Sequence, residues 1–255
     1  MSHEGTNIPS HPYYPLDIKL INYLANDKDP LFLISVFATG CIIILTTTIL
    51  LIRKTNPTLP TSDFFTVLWF VMCMFPLPSH FQVHLTNDQG GFIHLLIEGH
   101  YTLNFLTLHQ SPTVLSQMWK VYSLSDSRYL TQNAFIFCME SITAFIFGPL
   151  SFLLAFLILK NHPLRNALQT LVSTGQLYGD VLYYATNGFD EYVHGLTYSR
   201  PERRVLWGLY VGLNAVWIVV PPILVYSSMR ASGKAFAALA KMERVLARNG
   251  SAKKV

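Results

Sequence analysis

The chain has 255 residues, 51% of them hydrophobic and 13% charged, with mean hydropathy +0.34 and a formal net charge of +4. A soluble domain carries about 25% charged residues, so an ordinary soluble fold is excluded, and the length suits about five membrane-spanning helices of ~20 residues each. The three cysteines lie in or beside apolar runs, which argues against a disulfide framework. The positive charge sits mostly in the C-terminal tail and gives no reason to expect a nucleic-acid partner.

In chain order, the expected organisation is an N-terminal interfacial arm over 1–30, a five-helix membrane domain over 31–228 and a basic tail over 229–255. The arm is polar and holds several prolines, so no cleavable signal peptide is expected. Its His11-Pro12-Tyr13-Tyr14-Pro15 run, followed by an amphipathic piece around 16–24, suits the membrane interface, where Tyr rings are at home. A disordered tail fits the same composition. The first span, 31–52, is uncharged and closed by Arg53 and Lys54. The second is broken: apolar residues 63–73 and 91–105 flank an insertion, 74–90, with two prolines and a polar end. Neither half crosses ~30 Å of hydrocarbon alone, but joined directly they make one tilted helix. A polar loop over 106–132 holds a short helix around 114–122. The third span, 134–159, carries Glu140 near its beginning. The fourth, 166–186, is the least apolar and includes Gln169, Ser173, Gln176, Asp180, Tyr183 and Tyr184. So many polar groups must face the bundle interior or a cavity. The fifth, 205–228, holds Asn214, Trp217 and the pair Pro221-Pro222, and a basic tail, helical at first, follows. With the C-terminus inside, the cytoplasmic segments hold 11 of the 18 Lys and Arg residues, so the positive-inside rule places the C-terminus in the cytoplasm.

Chemistry points to the segment around His94 and Glu98. Four residues apart on a helix, their side chains lie one above the other on one face. Ionisable groups within a span are costly and mark functional sites by default, although an interhelical structural hydrogen bond fits the same spacing. Glu140 suits either the interface or a site. Asp180, with its Tyr neighbours, fits a helix-packing network. Asn214 and Trp217, three apart, share a face, and a Trp ring can stabilise a cation where water is absent. Together these groups describe a proton-shuffling pocket inside a membrane. His80, His84 and His100 lack metal-ligand spacing, and no phosphate loop or nucleophile elbow is present.

At these residues the sequence resembles the emopamil-binding protein family, the sterol Δ8–Δ7 isomerases of the endoplasmic reticulum. The matching stretches include Gly91-Phe92-Ile93-His94-Leu95-Leu96-Ile97-Glu98-Gly99, Asp126-Ser127-Arg128-Tyr129, Cys138-Met139-Glu140-Ser141-Ile142-Thr143-Ala144, Gly175-Gln176-Leu177-Tyr178-Gly179-Asp180 and Asn214-Ala215-Val216-Trp217. The resemblance implies an all-α polytopic membrane protein of the endoplasmic reticulum, a five-helix bundle around a central sterol pocket. It further implies a Δ8-sterol substrate, membrane lipid around it, cationic amphiphilic amines as inhibitors, and no cofactor. It leaves open a homodimer and contact with other enzymes of the sterol pathway. By matching motif, His94, Glu98 and Glu140 would be catalytic and Tyr129, Thr143, Asn214 and Trp217 would bind substrate. Gln176, Asp180 and Tyr184 would form a supporting polar network. The implied reaction delivers a proton to C9, passes through a C8 carbocation and loses a proton from C7.

The chain departs from the family at 74–90, 17 residues that interrupt a span just before the His94 motif. Cys-Met-Phe can be encoded with an intron 5′ signal, Leu-Thr with a branch point and Gln89 with a 3′ signal, which makes a translated intron one reading. If the segment displaces His94, the alternative to an isomerase is a sterol- or amine-binding protein without turnover. A proton-coupled transporter is disfavoured because no internal repeat is present.

Overall fold

The computed structural model describes residues 11–73 and 94–252, and among them every regular element is helical. Three stretches are long and apolar enough to cross a membrane: Pro30–Thr55, Ala134–Leu159 and Val205–Arg248. The insertion 74–90, with His80 and His84, lies outside the described residues, as do Gly91, Phe92 and Ile93 of the matching motif.

Helix α1, Pro30–Thr55, starts where proline can start a helix. The Asp29 side chain accepts a hydrogen bond from the Leu31 N–H, 2.8 Å away, and caps the first turn. One stripe, Leu33, Gly40, Ile44, Thr48 and Ile52, is buried, while Leu31, Phe32, Ile34 and Ile42 on other faces are exposed. Helix α2, Thr61–Met72, has only 12 residues, and its Asp63 is paired with Arg165 at 2.6 Å. After α3, Gly99–Leu103, and α4, Val114–Tyr122, comes the third predicted span, whose bounds match the expectation. It is not one regular helix: α5, Ala134–Ile142, passes through a π turn, Thr143–Phe147, into α6, Gly148–Leu159. The fourth predicted span forms α7, Arg165–Phe189. The fifth opens with a π segment, Val205–Gly212, and continues without a break as α8, Leu213–Ala252, through Pro221 and Pro222.

Helix α7 has its polarity turned inward. Gln169, Ser173, Gln176, Asp180 and Asn187 are buried, whereas Leu171, Tyr178, Val181 and Phe189 are exposed. Water would favour the reverse arrangement; hydrocarbon favours this one, because polar groups there must find partners within the protein. The polar stripe also explains why α7 does not count among the apolar spans.

Across the insertion, the helix register survives. The His94 N–H donates to the Cys73 carbonyl at 3.2 Å. Leave out residues 74–90, and His94 is the fourth residue after Cys73, so this is the i to i−4 hydrogen bond of an uninterrupted helix. The described ends of the two halves, Cys73 and His94, are thus joined by a backbone hydrogen bond.

The N-terminal arm is docked, without regular helix over 11–29, and several of its anchors are on α4. Gln117 donates to Asp27 Oδ1 at 2.5 Å and accepts from the Lys28 N–H at 3.1 Å. The buried Lys120 ammonium donates to the carbonyls of Leu24 and Ser111 at 2.7 and 3.0 Å. Tyr13 is buried and donates its hydroxyl to the Lys120 carbonyl at 3.2 Å. Leu16, Ile21 and Leu24 remain exposed. Beneath the arm, the buried Arg128 is forked onto Asp126, with Nη2–Oδ2 at 2.6 Å. It also donates to Thr186 Oγ1 at 2.8 Å and to the Tyr183 carbonyl at 3.2 Å. This pairing fixes the short turn that carries Tyr129 and ties it to α7.

A chain shortened by residues 74–90 is expected to retain its helical content and to melt no lower than the full chain, by circular dichroism in detergent. A lower melting temperature would show that the helix depends on the segment.

Candidate active site

The candidate site is a cavity of about 100 Å³ between the α2–α3 segment, α5–α6, α7 and α8. Three π turns border it. The first, His94–Glu98, carries the acid–base pair; the second begins at Thr143; the third ends just before Asn214. Such turns widen a helix locally and are frequent at functional sites.

His94 is 1% exposed. Its Nδ1 lies 2.6 Å from Glu98 Oε2, an ion-pair contact that stands outside hydrogen-bond alignment. The imidazole is hemmed in on several sides. The Trp217 ring centroid lies 5.7 Å from its own, and Trp69 packs edge-on against Trp217 at 4.9 Å. The Cys73 thiol interacts with the ring. Gly148 comes so near that a Cβ placed there would stand 3.3 Å from His94 Cβ.

Glu140, 5% exposed, accepts a 2.7 Å hydrogen bond from the Tyr129 hydroxyl and interacts electrostatically with Glu98 and His94. Tyr129 is in turn stacked on Trp119, with ring centroids 4.8 Å apart. Thr143 lines the cavity but donates its hydroxyl back to the Met139 carbonyl at 2.9 Å. Asn214 is held by the Tyr122 hydroxyl at 2.9 Å and the Tyr210 carbonyl at 2.6 Å.

All seven residues expected to be catalytic or substrate-binding therefore line one cavity, and Gln176 and Asp180 line it with them. Tyr184 does not; its hydroxyl donates to the carbonyls of Tyr210 and Val211, each at 3.3 Å. The lining also includes Tyr183, expected only among the inward-facing polar residues of the fourth span, and Met139, Gly175 and Gly179, which sequence reasoning had not singled out. The two glycines, one turn apart, were the signal available: where α7 has no side chain, a neighbour approaches. The Phe147 ring occupies the notch at Gly175, with a ring carbon 2.1 Å from where a Cβ would be. Pockets for drug-sized ligands run from ~300 Å³ upward, so a bulky ring system enters only as wall side chains swing aside.

The arrangement suits proton transfer. Two carboxyl groups and an imidazole share a buried space in which a proton can be held and passed over short distances, beside an aromatic face that can offset positive charge.

The apolar helices suit a membrane protein, and residues 114–228 match the family model EXPERA, of the expanded EBP superfamily. Within it, the chain belongs to the emopamil-binding protein family. It is 36% identical to the 3-beta-hydroxysteroid-Delta(8),Delta(7)-isomerase of Rattus norvegicus over 88% of this chain and 89% of the relative. It is 33% identical to the enzyme of the same name from Cavia porcellus, over 87% and 89%. A shorter match of 33% identity, over 52% of this chain and 62% of the relative, is to a protoglabretal synthase of Citrus sinensis.

Replacing Tyr129 by Phe is expected to lower stability by about 1–3 kcal/mol by leaving a buried Glu140 oxygen without its donor. Thermal unfolding in detergent, compared with the exposed-site control Tyr178→Phe, checks it; equal melting points would show that the bond carries no stability.

Proposed function

We propose that the chain is a sterol isomerase that moves a Δ8(9) double bond to Δ7. The observation that carries this reading is the presence of His94, Glu98 and Glu140 on one buried cavity. A proton passes from the acid–base cluster to C9, and the alkene electron pair forms the new C9–H bond. The cation left at C8 is relieved when C7 gives up its proton and that C–H electron pair becomes the C7=C8 bond. Protons in and out balance, nothing is oxidised or reduced, and no cofactor is called for.

His94 and Glu98 act as a unit, since groups this close share their protons in macroscopic steps. Glu140 supplies the second carboxyl, to balance the cation or take up the C7 proton. Trp217 offers its ring to the C8 cation, which also accounts for an expected affinity for amphiphilic amines. Displacement of His94 by the inserted segment, which would leave a binding protein without turnover, is disfavoured by the in-register bond to Cys73. The reading includes a five-helix bundle in the endoplasmic reticulum membrane, with α7 and the α2–α3 segment as the two further spans and the C-terminus in the cytoplasm.

In a strain lacking sterol Δ8–Δ7 isomerase, the wild-type chain is expected to restore Δ7 sterols. Glu98→Gln, expressed to the same level, is expected to lose about a hundredfold or more in turnover. Retained turnover in that variant, measured by sterol analysis, would remove the proposal.

Gly148→Ala pushes on His94 and is expected to cost about tenfold or more in kcat, because small misplacements of a catalytic group are expensive. Gly188→Ala, with nothing within 4 Å of its Cβ, serves as the control. Equal rates for the two would show that the imidazole is not held by this contact.

A further inference from the structure

Most polar groups on the cavity wall are already engaged. Tyr129 donates to Glu140, Thr143 to the Met139 carbonyl, and Asn214 is held by Tyr122 and the Tyr210 carbonyl. Tyr183 shares a hydrogen bond with Tyr122 at 3.3 Å. Apart from the acid–base pair, two acceptors on the wall differ. Gln176 Oε1 and Asp180 Oδ2 are buried and, among the described residues, have no hydrogen-bond partner. The two residues are 7% and 8% exposed, and both line the cavity. Leaving buried acceptors unpaired costs about 1–3 kcal/mol each, a cost that a ligand carrying a donor removes.

Their placement fits a particular ligand group. Gln176 Nε2 lies 3.7 Å from the Cys73 thiol, which itself contacts His94, so Gln176 sits level with the acid–base pair. Asp180 is one turn further along α7, about 6 Å. Between them Gly179 presents no side chain, and its nearest neighbour is Met139 at 4.0 Å. A flat ring system can lie along this strip. In a 3-hydroxysteroid, the hydroxyl and the reacting carbons stand at opposite ends of the A and B rings, a span comparable to one helical turn.

We propose that Asp180 accepts the hydrogen bond of the substrate's 3-hydroxyl and so sets where along the cavity the alkene stops. This assignment rests on the isomerase reading and names a recognition residue for it. The carboxylate is the acceptor at the hydroxyl's end of the strip; Gln176, one turn nearer the acid–base pair, lines the wall along which the rings lie.

The test compares two Δ8 sterols, one with the 3-hydroxyl and one with hydrogen in its place, in wild type, Asp180→Ala, Asp180→Asn and Gln176→Ala. Wild type is expected to prefer the hydroxylated sterol in kcat/KM. Asp180→Ala is expected to shrink that preference by about tenfold or more, mainly through KM. Asp180→Asn, which keeps an acceptor oxygen, and Gln176→Ala are expected to shrink it less. Turnover of the deoxy sterol reports that each variant has folded, and Asp180→Asn carries the comparison if Asp180→Ala does not insert. A wild type that treats the two sterols alike, or variants that keep the full preference, would overturn the assignment while leaving the isomerase reading intact. A wild type that turns over neither sterol would instead overturn the isomerase reading.

Discussion

The structure depends on keeping His94 and Glu98 together, at 2.6 Å, with the imidazole buried and the carboxyl mostly so. A charged pair taken out of water is affordable only with close geometry and satisfied surroundings. The chain supplies the close geometry with rigid neighbours. The helix backbone is tied across the insertion at Cys73, Gly148 admits the imidazole at close range, and Trp69 and Trp217 form an aromatic wall. These constraints come from three segments, α2 with Cys73, α6 and α8, so the pair is placed by tertiary structure and not by its own short π turn alone.

The same logic extends outward. Glu140 is oriented by Tyr129, and Tyr129 stands on a turn whose Arg128 is clamped by Asp126, Thr186 and Tyr183. That clamp lies beneath the N-terminal arm, which Ser127 joins by donating to the Tyr14 carbonyl at 2.5 Å. The polar layers form one connected structure from the arm to the cavity. Networks of this kind rigidify a core where their members are satisfied.

Much of this was legible in the sequence. The bounds of the third span, the short helix of α4, the inward polarity of α7 and the gathering of His94, Glu98, Glu140, Asn214 and Trp217 follow from composition, spacing and motif. The π turns did not, because a periodicity argument assumes 3.6 residues per turn and local widening leaves no compositional mark. The docking of the arm was obscured because its partners, Gln117 and Lys120, look like residues of a solvated loop until they are seen to be buried. Tyr184 shows the drift of a helix against a four-residue repeat. From Gln176 and Asp180 the buried stripe continues to Tyr183 and Asn187, so Tyr184 turns away towards the backbone at Tyr210.

Helix α8 has 40 residues in one piece. At 1.5 Å per residue it is about 60 Å long, roughly twice the ~30 Å of hydrocarbon it would traverse. Its length thus exceeds what one crossing needs, and Asn214 and Trp217 stand in its first turns, at the end that lines the cavity. In a helix this long, any tilt at the cavity end would be magnified at the other, where a pair of spectroscopic labels could follow it.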